Sequence, residues 1–342
     1  MFDSVVDFIH QLQGKYTFDD PIAAYGVIAF VLLIGLEIVL SLKYDPELYQ
    51  WKDFGASISM GAGSVVVAVF AKIMSFAMFI GVYNLFNTPV NGLYEVFNFE
   101  RVNVFGWASF GLAWYVFLIC QVLDDFNYYW YHRLSHTVRC LWAAHIVHHS
   151  SDNFNLGSGI RNGWITLLYK PIFWLWLPAI GFSPIVVMTC LSIQSLWQFQ
   201  LHTKFMPYLG FFEKFMNTHK QHQVHHAQNI EYMDKNHGGY LNFFDKIFGT
   251  HERLDDVNID IKFGVVHPPN SHNPLVILSH EYKDIWNDVK STPVLKYKLM
   301  YIFGPPGWRP GDFSQTARAL QKEIKKQKEA VKQQGQHNSM VA

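Results

Sequence analysis

The chain has 342 residues, of which 50% are hydrophobic, 17% aromatic and only 16% charged, with a formal net charge of +0 when histidine is neutral. A soluble domain usually carries about 25% charged residues, so the shortfall points to a membrane protein, and the neutral balance excludes the broad basic surface that nucleic-acid binding needs. Cys120, Cys140 and Cys190 lie far apart, which excludes both a disulfide framework and a thiolate metal site.

Residues 1–20 read as an extramembrane segment. They set Asp3, Asp7, Asp19 and Asp20 against Lys15 and lack the basic start and cleavage site of a presequence. Pro21 opens an apolar run to Leu42 that only Glu37 interrupts, and about 20 such residues suffice to cross a bilayer. A second run, Ile58 to Phe86, is longer than one crossing needs, so it is expected to tilt, to break near Lys72 or to lie partly at the interface. A third, Val104 to Leu123, ends at Asp124-Asp125, which makes 21–123 a transmembrane region. The core at 124–251 includes a helical hairpin over about 165–201, with its turn at Gly181-Phe182-Ser183-Pro184. Tyr128, Tyr129, Trp130 and Tyr131 read as an interfacial aromatic belt. Residues 252–342 read as a cytosolic region, with a basic helix over 314–333 and a disordered tail.

The fold class expected is therefore all-α: a polytopic helical bundle with a cytosolic helical cap. On a topology of five crossings with the amino terminus outside, Lys43, Lys52, Arg133, Arg139, Arg161, Lys204, Lys214 and Lys220 all fall on the cytoplasmic side. The histidines fall there too.

Histidine is the outlier, with 17 copies, 12 of them between His132 and His251. His132 and His136 sit in HRLSH; His145, His148 and His149 in HIVHH; His202 at the end of an apolar run; and His222, His225 and His226 in HQVHH. On a helix, positions i and i+4 lie about 6 Å apart on one face, so two imidazoles there can meet at one ion. In H-x-x-H-H the first histidine shares a face with the fourth and the fifth, while the adjacent pair diverges by about 100° and can reach two ions. Nine imidazoles exceed one tetrahedral zinc and suit two ions of higher coordination. His202 alone would read as a satisfied core residue; its place at a span's end brings it into the set. Asp125, Asp234, Asn236, His219 and His237 stand close enough in sequence to brace the ligands or line the site. His251, His267, His272 and His280 fall in polar loops and His10 and His337 near the termini, so all six read as uninvolved.

No HExxH and no glutamate within a cluster supports a zinc hydrolase, and only Glu37 and Lys72 lie inside the spans, which counts against a metal transporter or a non-catalytic lipid-binding protein.

DFNYYWYHRLSH, WAAHIVHHSSDNFN, HTKF, HQVHHAQN and DKNHGGYLNFFDKIFGTH resemble, in order and spacing, the fatty acid hydroxylase (sterol desaturase) superfamily of membrane di-iron enzymes. Within it the pattern looks most like the alkylglycerol monooxygenase-like bacterial members, departing from it at Thr137 (Glu there) and at His237 (Tyr there). The resemblance implies that the nine histidines hold two Fe2+ ions. It implies O2 and two electrons from an external donor protein or small reductant, with hydroxylation of a C–H bond in a fatty acyl, ether or sterol-like lipid. Desaturation or methyl oxidation would use the same site. The membrane would be a bacterial inner membrane, or the endoplasmic reticulum in a eukaryote. Trp164, Phe173, Trp174 and Trp197 are candidates to line the lipid pocket.

Overall fold

A computed structural model describes residues 21–89, 101–254 and 259–341. The expectations for Asp3, Asp7, His10, Lys15, Asp19 and Asp20 fall outside the described residues. Helices α1 (Pro21–Tyr44) and α2 (Trp51–Phe86) are long and apolar enough to cross a membrane, with a mean hydropathy of 2.4 in each. Only 17% and 22% of their most apolar stretches are buried. Leu32 and Val39 on α1, and Val66 and Phe70 on α2, point outward. A soluble core helix would bury those side chains; here lipid acyl chains must cover them.

Helix α2 runs unbroken past Lys72, which removes the break from the three alternatives and leaves a tilted or partly interfacial helix. Its segment contains no proline, so nothing interrupts the i→i−4 ladder. At about 1.5 Å per residue its 36 residues outrun a hydrocarbon core of about 30 Å, and its first turns reach the polar part of the fold. Asp53, in that first turn, is buried.

Strands β1 (Asn87–Pro89) and β2 (Arg101–Asn103) pair antiparallel, a small exception to the all-α expectation. Helix α3 (Trp114–Thr137) begins later than the apolar run did, because Asn103 Oδ1 accepts from the Phe105 and Trp107 amides and Gly106 takes φ 77°. It then continues past Asp124-Asp125, which were expected to end it. Both carboxylates are buried: Asp124 accepts from Trp174 Nε1 at 2.6 Å, and Asp125 from the Tyr240 amide at 2.6 Å. Tyr128, Tyr129 and Tyr131 are buried as well, so the expected interfacial belt is core.

Helices α4 (Arg139–His149) and α5 (Leu156–Gly159) follow, the second closed by a capping box between Asn155 and Ser158. The hairpin's first limb is not one helix. Pro171 and Pro178 leave α6 (Trp164–Tyr169), a 3-10 turn over Lys170–Trp174 and α7 (Trp176–Ala179), before Gly181 (φ 111°) turns the chain into α8 (Pro184–Gln200). Phe79, Val116, Tyr131, Trp174 and Val186 form the principal apolar core among the described residues.

Beyond α8 come α9 (His219–His226) and α10 (Phe243–Ile247), then α11 (Pro274–Lys290), α12 (Leu295–Phe303) and α13 (Ala317–Val341). Arg139 at the start of α4 donates to Glu281 at 2.8 Å and Asp288 at 2.6 Å, which holds α11 behind α4. His280, expected in a loop, lies on α11, where its Nδ1 donates to the Ile277 carbonyl. Helix α13 runs to Val341, and Lys, Gln, Glu and Ala dominate its first five turns.

The buried ion pair between Arg161 Nη1 and Asp53 Oδ1, 2.7 Å long, ties α2 to the segment between α5 and α6. Asp53→Ala leaves the guanidinium buried without a counter-charge. The variant is expected to lose about 3–5 kcal/mol of stability, read from denaturant unfolding of the detergent-solubilised protein; an unchanged midpoint would contradict it.

Candidate metal centre

All nine histidines singled out above are buried, and they form two groups. In each group one ring nitrogen per residue lies within 4.8 Å of every other. The first takes His132 and His136 from α3, His145 and His149 from α4, and His225 from α9. The second takes His148 from α4, His202 just after α8, and His222 and His226 from α9.

The helical spacing explains the division. In HIVHH the first and fifth histidines share the first group and the fourth goes to the second. HQVHH inverts this, sending its first and fifth to the second group and its fourth to the first. The adjacent residues thus diverge as their angular offset requires, while the first histidine pairs only with the fifth. The groups are neighbours: the His149 and His226 rings, one from each, stack with centroids 4.3 Å apart.

Backbone carbonyls set the tautomers. His148 Nδ1 donates to the Arg161 carbonyl (3.0 Å), His202 Nδ1 to those of Gln198 and Phe199 (3.0 and 3.1 Å), and His225 Nδ1 to that of Lys235 (2.9 Å). A carbonyl only accepts, so in each of these rings Nδ1 carries the proton and Nε2 keeps a bare lone pair. Yet His148 Nε2 and His202 Nε2 stand 3.1 Å apart. Two lone pairs at that distance repel unless a cation lies between them. Nitrogens bound at right angles to one ion, each about 2.1 Å away, stand about 3.0 Å apart. The His202–His222 and His222–His226 Nε2 separations, 2.9 and 3.1 Å, have the same length. In the first group His132 Nε2 and His145 Nε2 are 3.0 Å apart, and His136 Nε2 and His225 Nε2 are buried with no hydrogen-bond partner. This donor set fits a pair of metal ions.

Burial also keeps the rings neutral, as ligation demands. It pushes His148 down to about 4 and His225 down to about 3.

The five bracing candidates take different places. Asp234, at φ 54°, brings its carboxylate to 3.6 Å from His136 Nδ1, and burial lifts it to about 6. Asn236, also at φ 54°, donates from its side chain to the Gln221 and Glu252 carbonyls and so braces α9. Asp125 touches no ligand ring; it accepts from the Tyr240 and Leu241 amides of the following loop. His237 packs against His136 and His132 with centroids 5.0 and 5.5 Å away, and its carbonyl accepts from His132 Nδ1. His219 belongs to neither group.

Asp245, Glu37 and Asp53 were not anticipated as supports. Asp245 accepts from the His237 and Gly238 amides at 2.8 and 2.7 Å, fixing the loop whose carbonyl holds His132. Glu37 accepts from Tyr49, from the Leu156 amide and from Thr203, the residue after His202. No spacing rule marks these contacts. Trp174 lies in the core, where its Nε1 donates to Asp124, and Trp164 Nε1 donates to the Met60 carbonyl.

The fatty acid hydroxylase family model matches residues 117–250, a stretch that contains both groups. The chain is 34% identical over 287 residues to alkylglycerol monooxygenase of Homo sapiens, a match covering 82% of this chain and 59% of that one. The corresponding protein of Xenopus tropicalis is 33% identical over 286 residues (84% and 59%), and that of Danio rerio 31% over 290 (82% and 58%). The chain belongs to the fatty acid hydroxylase family. It spans about three fifths of the length of these curated relatives. No solved structure matches it.

In this family member Asp245→Ala frees the loop that aims His132. Metal affinity is expected to fall about 10- to 100-fold, read by competition with a chromophoric chelator. Affinity equal to that of the parent would show that the carboxylate has no part in holding His132.

Proposed function

We propose that the chain is a membrane-bound oxygenase that holds two iron ions, one in each histidine group, and hydroxylates a C–H bond of a lipid using O2 and two externally supplied electrons. The observation that carries this reading is the approach of His148 Nε2 to His202 Nε2, whose protons are both committed to carbonyls. When bound, the iron pair would supply the activation of O2. His132, His136, His145, His149 and His225 would hold one ion, and His148, His202, His222 and His226 the other.

The chain's own groups do the rest. The carbonyls of Arg161, Gln198, Phe199 and Lys235 hold the Nδ1 protons and so aim the Nε2 atoms at the ions. The buried rings exclude bulk water from the reacting centre. His136 and His202 stand near the ends of apolar helices, so a lipid can reach the site sideways from the bilayer with its reactive carbon near the interface. The relatives' name, alkylglycerol monooxygenase, supports an alkylglycerol as the substrate. The electrons would come from a donor protein or a small reductant, and the Lys and Arg residues that follow the apolar runs support a site on the cytoplasmic side.

Metal analysis of purified protein is expected to find two iron ions per chain. Lipid extracts from cells with and without the protein should differ by a product one oxygen heavier than its precursor. Desaturation would instead remove two hydrogens. His148→Ala and His225→Ala should each abolish that product; normal product from both would refute the oxygenase.

A further inference from the structure

The chain that leaves α8 is irregular, yet its surface is that of a membrane element. Met206, Tyr208, Leu209, Phe211 and Phe212 are all exposed, with Phe211 keeping 67% of its surface and Tyr208 63%. Single exposed apolar residues are ordinary, but five so close together form a patch that something must cover. The Phe211, Phe212 and Phe215 rings hold it together, with centroids 5.2 to 6.3 Å apart. Its charge is one-sided. Lys204, Lys214 and Lys246 are exposed around it, Lys214 Nζ lying over the Phe211 ring, while the carboxylates of Glu213 and Asp245 are buried.

The neighbouring helix fixes the depth of this segment. Helix α8 and its end lie along α1, with Leu196 against Gly26, Phe199 stacked on Phe30 and Thr203 bonded to Glu37. Exposed apolar residues on α1 continue beyond Glu37 to Val39 and Leu42, roughly 7.5 Å further at about 1.5 Å per residue. Thr203 is therefore inside the band that lipid must cover. From there the chain does not rise out of the band, because Met206, Leu209 and Phe212 line one cavity with Trp197 and Leu201 of the preceding helix end.

Irregular backbone sits at that depth only where the protein satisfies its polar groups, and here the chain supplies the partners. The carbonyls of Glu213 and Met216 accept from Asn242 Nδ2, that of Phe215 from the Asn242 amide, and that of Lys214 from Lys246 Nζ. The Leu209 amide donates to the buried Glu213 carboxylate, and the Phe212 and Met216 amides donate to the Leu209 and Phe212 carbonyls.

We infer that residues 206–215 form a lip inserted into the leaflet beside the second histidine group, its aromatic rings among the acyl chains and Lys204, Lys214 and Lys246 against anionic phospholipid headgroups. Lysine stems run along apolar surface and carry the charge to the polar layer, and Tyr208 suits the boundary between the two. A second copy of the chain could cover the rings. In a two-fold pair, however, the same patch meets itself, and with Glu213 and Asp245 buried it offers the ammonium groups no counter-charge. The lip holds with or without iron in the histidine groups.

The test is photolabelling of the full-length protein in vesicles of phosphatidylcholine and phosphatidylglycerol, the latter carrying a diazirine on its acyl chain close to the glycerol. Label is expected on the peptide containing Phe211 and Phe212, and on the α1 peptide containing Val39 and Leu42, which serves as the standard. The Lys204→Gln/Lys214→Gln protein should carry roughly fivefold less label on the lip relative to α1, the scale of a surface lysine at an anionic membrane. Phe211→Glu/Phe212→Glu should remove the lip label and leave that of α1. The lysine variant alters only exposed side chains, so it keeps the answer readable if the glutamate variant fails to fold. Label on α1 with none on the lip would place the segment in water and overturn the inference. Lip label unchanged in both variants would do the same, as would crosslinks joining Lys214 of two copies, which would make the patch a self-interface.

Discussion

The structure depends on one arrangement that would be unstable alone: imidazole lone pairs forced to within about 3 Å of each other in a buried space. In water, each of those nitrogens would be solvated and the rings would turn apart. Here they cannot. His148 and His202 are fixed through Nδ1 by carbonyls on different stretches of chain, and both rings are buried. A cation is the species that turns this repulsion into attraction, because several neutral imidazoles can share its charge and none has to lose a proton to do so. The fold therefore gathers these nitrogens in the arrangement that ligation requires.

Four buried carboxylates keep that centre from relaxing, and none of them touches the converging nitrogens. Glu37 holds the Leu156 amide and Thr203, next to His202. Asp53 holds Arg161, whose carbonyl holds His148. Asp245 holds the His237 amide, and the His237 carbonyl holds His132. Asp125 holds Tyr240 and Leu241, further along the same loop. Asp53 and Asp245 act at one remove on a residue whose carbonyl orients a ring, and Glu37 and Asp125 hold stretches of chain beside such residues. This explains acidic residues at positions that hydropathy marks as membrane or near-membrane. They are expensive to bury, and each is matched by amides, hydroxyls or a guanidinium.

This indirectness decides what could be read from the sequence. The nine histidines were legible because helical spacing acts on side chains: i and i+4 coincide, while adjacent residues diverge. The carbonyls that orient them were not legible, since any residue carries one and only the tertiary path decides which approaches. The aromatic run Tyr128–Tyr131 read as an interfacial belt because composition cannot separate a tyrosine that faces headgroups from one packed in the core around Trp174. Asp124-Asp125 read as a helix end for a similar reason: a pair of carboxylates after an apolar run stops a helix in lipid unless partners such as Trp174 and the Tyr240 amide are waiting. The first limb of the hairpin at 165–201 is marked by apolarity, which does not register the breaks that Pro171 and Pro178 impose.

The exchange of histidines between the groups has a thermodynamic consequence under the two-ion reading. Helices α4 and α9 each contribute to both centres, so neither centre can be assembled without fixing both helices. The first ion bound would bear the ordering of α4 and α9 against α3, and the second would find its nitrogens already placed. Such coupling makes binding positively cooperative with no further change of shape, because the entropy of ordering is lost once. It also gives the H-x-x-H-H pattern a reason beyond ligand supply. Two separate four-residue sites could bind two ions independently, whereas an adjacent pair that splits between centres binds them as a unit. The stacked His149 and His226 rings are where that unit is joined.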